Sequence, residues 1–144
     1  MGEQNVKLNS DEAASQAFMR SLLVEVNALE RMLERGLFET GVRRIGAEQE
    51  MFLIDRAHKP ATRALDILDA IDDPRFTHEL GLFNLEANLS PHRLEGNCFR
   101  AMEAELQEIY RMARESAGRF DCDIALVGIL PTLTKANLGL DSMV

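Results

Sequence analysis

The sequence predicts an α+β fold, a β-sheet flanked by helices with one sheet face left open. Three observations carry this. Segments with helical spacing alternate along the chain with segments of period two, giving the order helix, strand, helix, strand, helix, strand. Alternation alone would suggest a parallel doubly wound sheet. The first two strands, however, put carboxylates on a face that a parallel sheet covers with helices, and no Gly-rich phosphate loop follows any strand.

Residues 1–10 have no apolar period and are expected to form a disordered arm. Residues 11–40 are expected to form a separate helical element. There Phe18, Leu22, Val26, Leu29 and Leu33 recur at three- and four-residue steps, the stripe of an amphipathic helix. Ser10 is placed to cap it, with Asp11 and Glu12 favourable at the positive end of the helix dipole. Gly36 ends it in the left-handed conformation. The stripe needs a partner, either the sheet or another subunit.

Residues 42–55 read as one strand. Ile45, Ala47, Gln49, Met51 and Leu53 share one face; Gly46, Glu48, Glu50, Phe52 and Ile54 share the other. A loop at His58-Lys59-Pro60 leads to a short helix over residues 63–71, with Leu65, Leu68 and Ile71 as its buried set. Asp72-Asp73-Pro74 stops that helix. Residues 76–89 read as extended with a break at Gly81. Beyond it Phe83, Leu85, Ala87 and Leu89 face one way, and Asn84, Glu86 and Asn88 the other. Residues 97–119 form the clearest helix, striped by Met102, Leu106, Ile109, Met112 and Ala113. Residues 123–130 read as a last, mostly apolar strand buried on both faces and closed by Pro131.

Composition narrows the function. Of 144 residues 46% are apolar and 28% charged, an ordinary globular balance, and the formal net charge is -8. Without a Lys/Arg stripe such a chain repels a phosphate backbone, so no nucleic-acid partner is expected. A magnesium-bound nucleotide is not excluded. No apolar run reaches the roughly 18 residues of a membrane span, and the polar start is unlike a signal peptide, so no membrane partner and a cytoplasmic location are expected. Cys98 and Cys122 are too few and too far apart for a zinc site and read as small core residues. Histidine ligands at the spacings of a metal-dependent hydrolase are missing.

Glu48 and Glu50 are the most informative pair. At i and i+2 of a strand they project from the same face, roughly 6–7 Å apart. Neighbouring anions repel on a half-buried strand. The pair is relieved either by a divalent cation, since hard ions such as magnesium take carboxylate oxygens, or by simple solvation of that face. Glu86, between Asn84 and Asn88, would add a third carboxylate if the second strand lies beside the first. Glu79 is seven residues before Glu86, so only a bulge at Gly81 would bring the two together on one strand. His78, next to Glu79, either reaches the site edge or, as a lone histidine more often does, serves the structure, and His58 and His92 are placed at the surface. Arg43 and Arg44 either meet an anionic substrate or solvate the strand start.

Gly46-Ala47-Glu48-Gln49-Glu50, followed by Met51-Phe52-Leu53-Ile54-Asp55, resembles the Gly-x-Glu-x-Glu strand that opens the catalytic region of the glutamate–cysteine ligase type 2 family. His78-Glu79-Leu80 and Leu85-Glu86-Ala87-Asn88-Leu89-Ser90 resemble that family's second acidic strand. The long helix and Val127-Gly128-Ile129-Leu130-Pro131-Thr132 come next in the same order, so the resemblance covers residues 46–143. It implies a glutamine-synthetase-like fold whose largely antiparallel sheet holds ATP, magnesium and glutamate on its concave face. It also implies metal-holding roles for Glu48, Glu50 and Glu86, with Glu79 at a less uniform acidic position and Asn88 and Arg44 toward substrate. One departure stands out: Ile129-Leu130 replace a histidine the family often has before the proline, which leaves the amine open.

The resemblance implies an ATP- and magnesium-dependent carboxylate–amine ligase, of the kind used in glutathione biosynthesis, activating glutamate as an acyl phosphate for an amine such as cysteine. Residues 41–144 would be the N-terminal part of its catalytic domain, inert alone. A homo-oligomer is expected. The alternative is a non-catalytic binding or assembly module with a vestigial metal site.

Overall fold

The structure, a computed structural model, describes residues 12–144. It divides into two compact units, residues 1–42 and 43–144. The expected arm over residues 1–10 and the capping roles of Ser10 and Asp11 lie outside the described residues.

In the first unit a single helix, α1 (Glu12–Glu34), is the only regular element described. It ends as the sequence predicts. Gly36 takes φ 61°, the Leu37 N–H bonds the Met32 carbonyl, and the Gly36 N–H bonds that of Leu33. That pair of bonds satisfies carbonyls that would otherwise be left open, at a position where a side chain would be strained. None of α1's side chains is buried.

The second unit is an α+β fold. Its main sheet has four strands in the order β3 (Phe76–His78), β4 (Asn84–Asn88), β2 (Glu48–Ile54), β6 (Asp123–Ala125), every neighbouring pair antiparallel. Two short strands, β1 (Arg44–Ile45) and β5 (His92–Arg93), pair in a separate ribbon. The helices α2 (Ala64–Ile71) and α3 (Cys98–Gly118) bury the apolar set of the main sheet. Met51, Leu53, Leu85, Ala87 and Ile124 pack with Ala64 and Ile67 of α2 and with Met102, Ile109 and Ala113 of α3. Ser116, buried between the helices, donates its hydroxyl to the Ile67 carbonyl, so even the one buried polar side chain among the described residues is satisfied. No described helix is long and apolar enough to cross a membrane.

Four expectations change. The first strand is broken after Ile45: Gly46 and Ala47 leave the ribbon, and the Ala47 carbonyl accepts from Leu89 instead. The short helix is turned so that Ala64 and Ile67 are buried with Leu68 and Ile71 against them, while Leu65 is 46% exposed. The set 64, 67, 68, 71 follows the three–four spacing of a helical face more closely than 65, 68, 71. The last strand stops at Ala125, and β6 lies at the sheet edge with a neighbour on one side only. Leu126, Val127 and Ile129 are exposed, Ile129 at 81%, and only Leu130 is buried. Phe83 is buried but stands apart from the main core cluster: its ring stacks on Phe52, centroids 6.4 Å apart. Gly81 makes room for it, since a Cβ there would stand 2.9 Å from the ring.

Candidate functional site

Register decides which of the acidic residues meet. In the antiparallel pairing of β2 with β4, Glu50 lies directly opposite Glu86, Glu48 opposite Asn88, and Phe52 opposite Asn84. Directly opposed residues point to the same side of a sheet, so Glu48, Glu50 and Glu86 share the face opposite Met51 and Leu85. The Asn88 side-chain amide donates to Glu86 at 2.8 Å, which fixes one carboxylate oxygen.

Glu79 arrives by a route the sequence did not suggest. No bulge is needed, because the chain reverses between β3 and β4, with the Asn84 N–H bonding the Gly81 carbonyl. Thr77 is paired opposite Glu86, and two residues on Glu79 returns to the same side. The Glu79 carboxyl is pushed above the ordinary glutamate range, first by its hydrogen bond with the Glu86 carboxylate and then by burial. The negative charges of Glu86 and Glu50 add to this, while the Leu80 backbone N–H opposes it. Three carboxyl groups from three strand positions therefore sense one another on the open face.

Arg44 and the histidines lie elsewhere. Arg44 belongs to the ribbon, paired opposite Arg93, and not to the sheet that carries the carboxylates. His78 is opposite Leu85, hence on the core side, with Nδ1 against the Glu79 carbonyl. Of its two expected roles, this is the structural one and not the site edge. His58 is exposed, as expected. His92 is half-buried, and its Nε2 meets Glu105 at 3.3 Å. Cys98 is buried, Cys122 half-buried, and both are free thiols, with burial pushing the Cys122 thiol up.

Sequence reasoning missed the buttress behind the site. Glu105 of α3 accepts from the Ser90 N–H and hydroxyl and from His92, and lies 3.6 Å from Arg75. Burial pushes its carboxyl up, but the two Ser90 bonds, His92 and Arg75 together outweigh burial and hold it below the ordinary glutamate range. Arg75 in turn grips Asp73 and Glu108. The network ties both ends of the β3–β4 hairpin to α3. Nothing in local spacing announces it, since its members come from three separate segments.

The donor chemistry on the open face fits a hard cation in kind: oxygen only, anionic, with amides nearby to orient it. In position the set is not closed. Among the described residues no three His, Cys, Asp or Glu side chains stand together as a metal-binding group. Glu50 and Glu86 are nevertheless direct cross-strand neighbours, a relation that brings Cβ atoms to about 4.5–5.5 Å. A shallow cavity beside them is lined by Gly46, Ala47, Glu48, Asn88 and Leu89. A second cavity, at the far end of β2, is lined by Asp55, His58, Asp121 and Cys122 and crossed by the Arg56–Asp121 ion pair, away from the carboxylates. Compared with known protein families, curated proteins and solved structures, the chain matches none.

Proposed function

We propose that the open carboxylate face is the cation-holding part of an ATP-dependent carboxylate–amine ligase, similar to the glutamate–cysteine ligase type 2 family. The observation that carries the proposal is the direct opposition of Glu50 and Glu86 on a solvent-facing sheet side, with Glu79 joined to Glu86. Like charges directly opposed across two strands are destabilising. They persist at a site where a positive charge is wanted.

In this reading Glu50 and Glu86 would hold a magnesium ion, with Asn88 orienting Glu86 and Glu79 beside it as a third acid. Residues holding the ion there would supply charge neutralisation at the phosphate oxygens as the γ-carboxylate of glutamate displaced ADP from the terminal phosphate of ATP, leaving an acyl phosphate. The chain's own contribution is positioning. The four-stranded sheet fixes the carboxylates, and the Glu105–Arg75 network keeps the hairpin that bears Glu79 and Glu86 against α3.

Isothermal titration of magnesium-ATP into the protein carrying the whole catalytic domain tests this. Binding should require the metal, and should weaken by at least about tenfold in Glu50→Gln, the loss of one charged ligand. Equal affinity in the variant, or no metal-dependent heat at all, would remove the proposal. The second reading, a binding or assembly module with a vestigial metal site, is favoured by one observation: the carboxylates do not stand as a ready metal-binding group.

A further inference from the structure

β6 stops short of an edge that it is in register to cover. β4 pairs with residues 48–52 of β2, whereas β6 pairs only with residues 52–54. Among the described residues no strand lies on the other side of residues 48–51. Backbone hydrogen bonds point there. The Leu53 N–H bonds the Phe83 carbonyl and the Leu89 N–H bonds that of Ala47, so the odd-numbered residues along β2 bond toward β4. Glu48 and Glu50 therefore aim their backbone groups at the uncovered edge. The Glu50 carbonyl is met by the Gln49 side-chain amide at 2.7 Å instead of by a strand. Residues 126–129 fit this edge. Carried on past Phe52 and Ala125, the register sets Leu126 opposite Met51, Val127 opposite Glu50, Gly128 opposite Gln49 and Ile129 opposite Glu48. Leu126 already lines the groove it would then fill, with Phe99, Met102, Leu106 and Tyr110.

We infer that residues 126–129 are a strap that zips onto this edge of β2 once the charges of Glu48 and Glu50 are neutralised. In the structure the chain folds back instead: Leu126, Val127 and Ile129 are exposed, Leu130 is buried, and the Thr132 hydroxyl donates to the His58 carbonyl. The two placements exclude each other. With Ile129 opposite Glu48, Thr132 reaches at most about 11 Å further, while Ile54 is roughly 20 Å from Glu48 by strand rise and His58 lies beyond it. Charge selects between them. Directly opposed residues share a face, so zipping brings Val127 and Ile129 onto the open face beside the two carboxylates. Apolar cover over anions is unfavourable, so the charges hold the strap off, and a cation at the carboxylates would remove that penalty. The cation step rests on the reading proposed above; the strap itself does not.

Hydrogen exchange on the 144-residue chain tests the strap. Zipping gives the Glu48 and Glu50 N–H groups strand partners, so their exchange should slow by at least about tenfold. The double variant Glu48→Gln/Glu50→Gln should show this without metal, and the wild type on addition of magnesium chloride. Slowing in the double variant alone sustains the strap and counts against the cation reading. A thiol trap is the second measurement, made with both glutamates intact. Gln49→Cys and Gly128→Cys would form a non-hydrogen-bonded pair with Cα atoms about 4.5 Å apart, within disulfide reach, and a Cβ at Gly128 meets nothing within 4 Å. Mild oxidation should close that bond, mapped by mass spectrometry apart from Cys98 and Cys122. The inference is overturned if Glu48 and Glu50 exchange equally fast in the double variant and wild type while Met51 and Leu53 stay protected. Thiols that fail to close overturn it as well.

Discussion

Along β2, Met51 and Leu53 are fully buried while Glu48 and Glu50, on the alternate positions, face solvent. Opposite them on β4, Leu85 and Ala87 are buried and Glu86 and Asn88 lie on the other side. The same backbone bonds serve both faces, so the difference is entirely in what the side chains meet. On one face they meet α2 and α3 and contribute stability. On the other they meet each other and cost it. A sheet can carry such a costly face only because its reverse side is well packed, which makes the two faces separable by mutation.

The largest expected effect is on function. In the active protein, Glu50→Gln keeps the shape but removes a charge that would hold the cation. Ligase turnover should fall by about 10²–10³-fold if that charge stabilises the transferring group. Unfolding in urea should be unchanged or shifted to higher concentration, because Glu50 no longer opposes Glu86. A variant that unfolds at lower urea would show Glu50 to be structural, erasing the contrast between the faces.

Leu85→Ala probes the other face. Leu85 is fully buried in the core cluster, and large-to-small changes at such sites cost about 2–5 kcal/mol. The urea midpoint should fall accordingly. A cost under about 1 kcal/mol would mean that the sheet is not held from this side.

Next in size is Glu105→Ala. It strips partners from the Ser90 N–H and hydroxyl and from His92; Ser90 is exposed and His92 half-buried, so the expected cost is that of ordinary net hydrogen bonds, about 0.5–1.5 kcal/mol. The Glu105 carboxyl is held below its ordinary value near 4.5. Its contribution is therefore present at neutral pH and lost as pH falls below that value toward its folded pKa. The variant should be flatter than wild type across that acid limb. An identical acid limb would show that the buttress contributes nothing.

How far the sequence could be read depends on what is local. The alternation of β2 and of β4 is set by backbone geometry, so the faces of Glu48, Glu50 and Glu86 were legible in advance. The strand break at Gly46-Ala47 was not, because an uninterrupted run of alternation looks the same whether or not the chain changes partner; of the two roles open to Arg44, substrate contact and a solvated strand start, the exposed position opposite Arg93 fits the second. The buried face of α2 is chosen by docking, since eight residues with apolar positions all round offer more than one stripe. Phe83 left its expected face because Gly81 opens space beside Phe52, a fit between residues that only the folded hairpin brings together.

The smallest effect discriminates most finely between the faces, because its pH dependence has the opposite sign to that of the buttress. Glu79 is raised above its ordinary value near 4.5, chiefly by the hydrogen bond with Glu86. A carboxyl that binds its proton more tightly in the folded state stabilises that state at low pH. Its contribution is lost as pH rises from about 4.5 through the folded pKa, when two carboxylates must stand together. Glu79→Gln keeps a hydrogen-bond donor toward Glu86 without the second charge. The variant should therefore exceed wild type at pH 7 by about 0.2–1 kcal/mol, the scale of an opposed like-charge pair, and the advantage should vanish near pH 4. Magnesium sharpens the test. If the open face holds the ion, adding it should stabilise wild type at pH 7 more than Glu79→Gln, closing the gap. A gap that magnesium leaves untouched would mean that the open face is merely a solvated sheet surface with a repulsive pair on it.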